Sequence, residues 1–138
     1  MSTPAELVRE RALLNAALVA VIGTRFYAAT SLPAGYHPIP ATGKAAITGP
    51  AIHLSGGSGS PGPTSVLADL SFEVRAYAAS ELAAQTLDAL LYAALHDTKR
   101  GIVRAIRCTQ RGEHVPDPDD AGWHYYRSSW QVTAVIAR

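Results

Sequence analysis

The fold is decided by two adjoining segments, SVLADLSFEVRAYA at residues 65–78 and ASELAAQTLDALLYAALH at residues 79–96. Polar and apolar side chains alternate along the first segment. Its apolar set is Leu70, Phe72, Val74 and Ala76, and its polar set is Asp69, Ser71, Glu73, Arg75 and Tyr77. A period of two predicts a β-strand with one face against a core and the other face polar.

The second segment has the period of an amphipathic helix. Its apolar stripe consists of Ala84, Leu87, Leu91 and Leu95, and its polar stripe of Glu81, Gln85, Asp88, Tyr92 and His96. Ser80 is an N-cap candidate, because its hydroxyl can accept a hydrogen bond from a free amide of the first turn. Together the two segments predict one helix folded back over the apolar face of one half-buried strand.

The chain has 138 residues, and we expect residues 1–138 to form a single domain. Charged residues make up 17% of the sequence, which is sparse for a small globular protein. Sparse charge leaves more of the surface apolar, and this favours a protein that buries surface in an assembly. The net charge of +1 gives no bulk electrostatic sign of nucleic-acid binding.

The N-terminal segment predicts neither export nor membrane insertion. Both charge signs precede a short alanine-rich run, unlike a signal peptide, at Glu6, Arg9, Glu10 and Arg11. The apolar run Ala12–Ile22 is too short to span a bilayer. We therefore expect a soluble protein made in the cytoplasm, with no membrane partner. The single cysteine, Cys108, is expected to be a small buried hydrophobe in a strand.

The remaining sequence adds one helix and several strands. Thr3 can cap a helix that begins at Pro4, and this helix should run to about Ile22 and stop at Gly23. Strands are predicted at residues 26–27, 45–55, 102–111 and 123–137. This order of elements predicts an α+β fold, an antiparallel β-sheet with two main helices packed on one face and long β-hairpins.

A flexible loop without large apolar side chains is predicted at residues 56–65, with the sequence GGSGSPGPTS. Because two residues suffice to turn a hairpin, the loop has surplus length. Two interpretations stay open: a flexible hairpin loop, or a projecting loop that orders on contact with a partner. The second interpretation makes Gly57, Ser58 and Gly59 candidate partner-interface residues.

Two runs of opposite charge follow the helix. The basic run includes Arg104, Arg107 and Arg111, and the acidic run includes Asp117, Asp119 and Asp120. Three interpretations stay open. The runs are two solvated surfaces, or the basic patch of one copy meets the acidic loop of the next in a head-to-tail contact, or the arginines line a channel for DNA. All six residues are candidate subunit or partner interface residues.

No constellation of residues for catalysis is evident in the sequence. His114, His124 and the three aspartates of the acidic run lie close together, but without the spacing of an HExxH or EF-hand site. Asp beside Pro and Gly is typical of a solvated turn. The glycine-rich loop lacks the phosphate-binding pattern, and no GxSxG is present. We therefore predict a protein that is not an enzyme and has no catalytic, cofactor-binding or metal-binding residues.

Several short segments follow one another in a recognisable order. They are Gly23–Tyr27 (GTRFY), Leu32–Pro33, Pro50–Leu54 (PAIHL), Phe72–Ala78 (FEVRAYA), the leucine-rich helix to His96, and His124–Val132 (HYYRSSWQV). In their order and in the types of residue they contain, these segments resemble the tail terminator, or tail completion, proteins of long-tailed bacteriophages and related gene-transfer particles. That group includes the lambdoid minor tail protein U, and the resemblance covers most of the chain.

The resemblance implies a virion protein of the tail or neck, assembled in the host cytoplasm as a hexameric ring on an α+β protomer. Its implied partners are further copies of itself, the tail tube protein and a head-side connector or head-closure protein. DNA passes through the bore without sequence recognition, and the resemblance transfers no catalytic residue. The chain departs from the family in its Gly/Ser-rich residues 56–65, which we expect to project toward the tube or the lumen. The alternatives are another neck protein, such as a head-closure or connector-adaptor component, and a small cytoplasmic binding module.

Overall fold

The computed structural model describes residues 3–28, 36–37, 47–58, 67–117 and 120–135. Three helices and eight strands lie along this part of the chain. The helices are α1 (Pro4–Ala12), α2 (Ala16–Ile22) and α3 (Glu81–Leu95). The strands are β1 (Phe26–Ala28), β2 (Tyr36–His37), β3 (Ile47–Thr48), β4 (Ala51–Ser58), β5 (Leu67–Ala78), β6 (Thr98–Arg100), β7 (Val103–Asp117) and β8 (Asp120–Val135).

Six of these strands form one sheet in the order β1-β4-β5-β8-β7-β6. β1 lies parallel to β4, and the other neighbouring strands of the described sheet pair antiparallel. β2 and β3 form a separate parallel pair. The predicted α+β class is confirmed, but the sheet is mixed rather than antiparallel. The reason is the long connection between β1 and β4, which lets the chain return and run in the same direction.

β5 is a central strand of the sheet and pairs with β4 on one side and β8 on the other. Its pairing with β8 extends over its whole length, from Leu67 opposite Val135 to Ala78 opposite His124. Alternate residues are buried, while Asp69 and Ser71 between them are exposed. The predicted period of two is therefore confirmed. The predicted long hairpin is also present, since β7 and β8 pair along most of their lengths.

α3 packs against β5, β7 and β8. The Ser80 hydroxyl accepts a hydrogen bond from the Ala83 N–H at 3.2 Å, which confirms the predicted cap. Leu87, Leu91 and Leu95 of the predicted apolar stripe are buried in the same core as Phe72, Val74 and Trp130, and Ala84 is buried as well. α3 has 15 residues, and no helix in the described ranges combines the length and apolarity needed to cross a membrane.

The N-terminal helix is interrupted, so the prediction of one continuous helix to Ile22 is wrong. Its start is as predicted, because the Thr3 hydroxyl accepts a hydrogen bond from the Glu6 N–H at 3.2 Å. The interruption comes at Asn15, whose Oδ1 accepts the Leu18 N–H at 3.0 Å and begins α2. An Asn side chain offers a free amide a partner, so it starts a helix more readily than it continues one. The expectation of two main helices on one face stays a prediction.

Two predicted loops are partly strand. β4 continues through Gly56 and Gly57, at φ values of +103° and +99°, and shifts register before Ser58. A residue with a Cβ is strained at these angles. The two glycines therefore allow the strand to continue through the register shift, and this part of the predicted loop is strand. Likewise β7 extends to Asp117, because its cross-strand partners on β8 continue its ladder past the predicted end.

Replacing Leu91 by Ala tests the central helix-on-strand contact. Leu91 is 0% exposed in the core, so its truncation should lower the free energy of unfolding by about 2–5 kcal/mol, measured by chemical denaturation. Leu82→Ala on the same helix is the matched control. Leu82 is 72% exposed, and its truncation should change stability by less than about 0.5 kcal/mol. Equal losses in the two variants would contradict the placement of α3.

Candidate functional site

One face of the sheet, which we call the polar face, carries the alternate β5 side chains from Asp69 to Tyr77 and the residues opposite them on β8. Glu73 pairs with Arg75 at 2.9 Å and lies 3.8 Å from Arg127, which also binds Glu113. The Thr133 hydroxyl donates a hydrogen bond to Asp69 at 2.7 Å. The acidic and basic groups of this face thus compensate one another locally.

A shallow depression of about 440 Å³ lies on the polar face where β4, β5, β7 and β8 come together. Its polar lining side chains are Ser55, Ser71, Glu73, Thr109, Ser129 and Gln131. Apart from the Glu73 carboxylate, these groups are hydroxyls and an amide, which accept and donate hydrogen bonds but are poor ligands for a transition metal. Within the described ranges, no group of three or more His, Cys, Asp or Glu side chains is placed to hold a metal ion.

Four tyrosines close one end of the polar face. Tyr36 makes edge contacts with Tyr27 and Tyr77, each at 6.2 Å between ring centroids, and Tyr77 contacts Tyr125 at 5.1 Å. The Tyr36 hydroxyl donates a hydrogen bond to the Gly49 carbonyl at 2.6 Å. Burial raises the pKa of Tyr36 and of Tyr77, so both hydroxyls stay protonated at neutral pH. The row ties the β2–β3 pair to the sheet.

The structure separates the predicted basic run into different environments. Arg107 lies opposite Gln131 and therefore on the polar face, where its Nε is 3.7 Å from an Asp97 carboxylate oxygen. Arg111 lies on the other face, against α3. Arg104 is exposed at a register shift near the start of β7. Register shifts change which face successive residues use, so the three arginines do not form one patch.

Arg111 belongs to a polar cluster between α3 and β7. Its Nη2 is 3.7 Å from an Asp88 carboxylate oxygen, and its Cζ is 4.1 Å from the centre of the Tyr92 ring. Asp88 is only 5% exposed, and burial raises its pKa although the Arg111 charge opposes the shift. The polar stripe of α3 therefore faces the sheet edge at Asp88 and Tyr92. It anchors the helix to the bulged part of β7.

His96 protects the free edge of β7. The pairing of β6 with β7 ends at Ile106. The backbone N–H of Cys108, which comes next along this edge, donates a hydrogen bond to His96 Nδ1 at 3.0 Å instead of to a strand. A side chain thus occupies a position where another strand would otherwise pair. Cys108 is half-buried and lies opposite Trp130, in the predicted strand. Burial raises the pKa of its thiol, so the thiol is not activated as a nucleophile.

Two histidines meet near the start of α3. His114 Nε2 and His124 Nδ1 are 2.9 Å apart, and His114 Nδ1 is 3.7 Å from a Glu81 carboxylate oxygen. One nitrogen must donate and the other accept, so at least one ring is neutral in this arrangement. The pair ties the end of the β7–β8 hairpin to the first residue of α3.

The outward surface of α2 and α3, which we call the helix face, carries no charge beyond Glu81. Leu14 is 58% exposed, Val21 36% and Leu82 72%. The other exposed residues of this face are Ala16, Ala17, Ala20, Ala83, Gln85, Thr86, Ala89 and Ala93. Outer faces of surface helices are normally charged or polar, so a nearly uncharged face of two adjacent helices is a candidate surface for contact with another protein.

The remaining predicted interface residues lie at the ends of strands. Gly57 and Ser58 are in the last part of β4, where a Cβ on Gly57 would lie 3.1 Å from the Phe72 ring, so Gly57 packs on the domain itself. Gly59 and Asp119 lie outside the described residues. Asp117 and Asp120 are paired in register at the end of the β7–β8 hairpin, which places the acidic run at a hairpin tip.

The fold of this chain has a likeness among solved structures. No protein-family model matches the chain, and no curated protein matches it. The fold is similar to that of a chain in the solved structure described as the virion of native gene transfer agent (GTA) particle. The two chains are 16% identical and superpose with a TM-score of 0.68, over 95% of this chain and 93% of the other. At this identity the likeness shows a shared fold.

The helix face is not among the predicted interface residues, which lie in the charged runs and in residues 56–65 and stay predictions. A signal was present, since no charged residue occurs from Ala12 to Thr24, and α3 carries only Glu81 and Asp88. Periodicity could not reveal which side of α3 points outward, because Asp88 and Tyr92 of the polar stripe face β7 while Glu81 and Gln85 are exposed. Contacts between elements distant in sequence decide this.

Gly112→Ala should destabilise the protein through a clash with Asp88. An added Cβ would lie 2.9 Å from one Asp88 carboxylate oxygen and 3.0 Å from the other, and we expect a loss of about 1–3 kcal/mol in the free energy of unfolding. The same substitution in an Asp88→Ala background, where the carboxylate is gone, should cost clearly less. An equal cost in both backgrounds would show that the clash is not with Asp88.

Asp88→Asn should change how stability depends on pH. Burial raises the pKa of Asp88 in the folded state above its unfolded value of about 4, so its stabilising contribution is full below that pH and is lost as pH rises through the folded pKa. An amide does not titrate. The stability of the Asn variant relative to the wild type should therefore increase between pH 4 and pH 7 in urea titrations. A constant difference would contradict the raised pKa.

Proposed function

We propose that this chain is a structural protein of a phage-like virion, and within it the tail terminator. The observation that carries the proposal is the fold likeness to a chain of a gene transfer agent virion over nearly the full length of both chains. The resemblance of the ordered sequence segments to tail terminator proteins supports the narrower role. Assembly then takes place in the host cytoplasm, and the finished protein is part of the virion tail or neck.

The proposed assembly is a homo-hexameric ring on the end of the tail tube. The helix face supports it, because an uncharged surface gains free energy when a neighbouring subunit covers it. Each subunit of a closed ring is held by two neighbours, so a single contact can be modest in area. The ring covers the last layer of tube subunits and so stops further polymerisation.

A tail terminator needs two unlike ring faces, one for the tube protein and one for the head-side connector or head-closure protein. We assign Gly57, Ser58 and Gly59 to the contact with the tube or the lumen. No step in this role requires catalysis, a cofactor or a metal.

DNA that passes through the ring must slide without being held. On the polar face Arg75, Arg107 and Arg127 each have a carboxylate partner within 4 Å. Guanidinium groups that already bind carboxylates release fewer counterions on meeting phosphates, so they add little to DNA affinity. Arg104 is exposed and makes no such pair among the described residues. It is the arginine of the basic run best able to contact passing DNA.

Tail assembly in vitro tests the proposed function. The purified chain is added to the tube protein of the same particle during polymerisation, and tube lengths and ends are measured by negative-stain electron microscopy. We expect growth to stop and a ring with six-fold symmetry to sit at one tube end. Native mass spectrometry of the chain over a concentration series reports the same stoichiometry.

Two results would contradict the terminator role. Tubes that lengthen at the same rate with and without the chain would rule out capping. Binding to the isolated head connector, with no binding to tubes, would assign the chain to a head-closure or adaptor position instead. A charge-matched variant on an exposed strand, Lys99→Glu, controls for nonspecific electrostatic effects and should cap tubes as the wild type does.

A further inference from the structure

A narrow crevice opens between the α1–α2 joint and the C-terminal half of α3. It has a volume of about 110 Å³ and is lined by Arg11, Leu14, Asn15, Ala93 and Ala94. Four of these residues are at least partly exposed, namely Arg11, Leu14, Asn15 and Ala93, and the crevice opens onto the helix face. Its size suits a small group such as a carboxylate rather than a large ligand.

Arg11 is the one positively charged side chain among the described residues that line this crevice. Its Nε is buried and has no hydrogen-bond partner, and Arg11 forms no ion pair within the described ranges. Neighbouring arginines differ, since Arg9 donates to the Phe26 carbonyl at 2.8 Å and Arg100 binds Glu10 at 3.2 Å. A partly buried guanidinium without a partner has lost hydration without compensation, so an arriving acceptor of negative charge gains an unusually strong hydrogen bond.

The tip of the β7–β8 hairpin lies at the other end of the protomer. Asp117 and Asp120 are paired at the tip of the β7–β8 hairpin, beyond His114, which contacts the first residue of α3. The Arg11 crevice lies at Ala93 and Ala94, near the last residues of α3. A 15-residue helix spans about 22 Å, so the hairpin tip is too far away to reach the crevice of its own protomer.

We propose that the Arg11 crevice receives the acidic hairpin tip, Asp117 and Asp120, of a second copy of this chain. Arg11 binds a carboxylate of the tip, and the uncharged helix face around the crevice is covered by the same neighbour. Charge complementarity selects this occupant. A nucleic acid would need several cations, and the helix face offers one.

This contact is head-to-tail, because it joins different surfaces at opposite ends of α3. Contacts of this kind build a closed ring or an open filament, whereas a two-fold dimer uses the same surface on both copies. The inference rests on the proposed function only for closure into a ring. The pairing itself follows from the unpaired arginine, the uncharged surface around it and the position of the aspartates.

Charge exchange tests the pairing. Self-association is measured by native mass spectrometry and sedimentation velocity for the wild type, Arg11→Glu, the double variant Asp117→Arg/Asp120→Arg, and the combination of all three changes. Either charge reversal should weaken self-association at least about tenfold, because a charge-assisted hydrogen bond becomes a repulsion. The combined variant should recover most of the wild-type association, with opposite charges again facing each other.

Two further variants separate assembly from folding. Arg11→Gln removes the charge but keeps a long polar side chain, so it should weaken association while circular dichroism shows an intact fold. Lys99→Glu makes the same charge change as Arg11→Glu at an exposed site in β6 and should associate as the wild type does. The inference is overturned if the wild type is monomeric throughout, if Arg11→Gln associates normally, or if the combined variant fails to recover association.

The tube-capping assay distinguishes this inference from the proposed function. If the wild type associates through Arg11 but does not cap tubes, the contact stands and the terminator role fails. If the wild type caps tubes as a ring that Arg11→Glu leaves intact, the terminator role stands and this contact fails. Failure of Arg11→Glu both to associate and to cap, with recovery of both in the combined variant, supports the two together.

Discussion

The packing of α3 on the apolar side of β5 is the contact on which the rest of the structure depends. β5 is paired along its full length with β8, and α3 follows it after a turn that Ser80 caps. Phe72 and Val74 from the strand and Leu87 and Leu91 from the helix are buried in one core. Burial of several large side chains provides the main favourable free energy for a domain of this size.

This packing fixes the orientation of α3 and therefore the character of its other sides. With Leu87 and Leu91 directed into the core, Asp88 and Tyr92 meet β7, where Arg111 and the bulge at Gly112 accommodate them. The side left to solvent carries alanines, Leu82, Gln85 and Thr86, and Glu81 in the first turn is its one charge among the described residues. An apparently amphipathic helix thus has two sides buried within the protomer and a third side suited to a neighbour.

Charge is used differently on the two sides of the protomer. The polar face pairs its arginines and carboxylates within the domain, which leaves few of them free for strong external contacts. The helix face is uncharged except at its rim, where Arg11 has no partner in the described part of the chain. In the proposed ring, the first arrangement tolerates passing DNA and the second holds neighbouring subunits. Neither role needs a reactive group.

The sequence by itself determined the elements whose pattern is local. The alternation in β5, the apolar stripe of α3, the Thr3 and Ser80 caps and the α+β class follow from side-chain period and hydrogen-bonding capacity, which act over a few residues. Asn15 is also a local signal, because its side chain can cap the start of a new helix. The apolar residues on both sides of it favoured the prediction of one uninterrupted helix. The tertiary structure alone decided the parallel β1–β4 pairing, the register shifts that separate Arg107 from Arg111, and the uncharged helix face. These depend on which distant segments meet, and side-chain period within one segment carries no information about that.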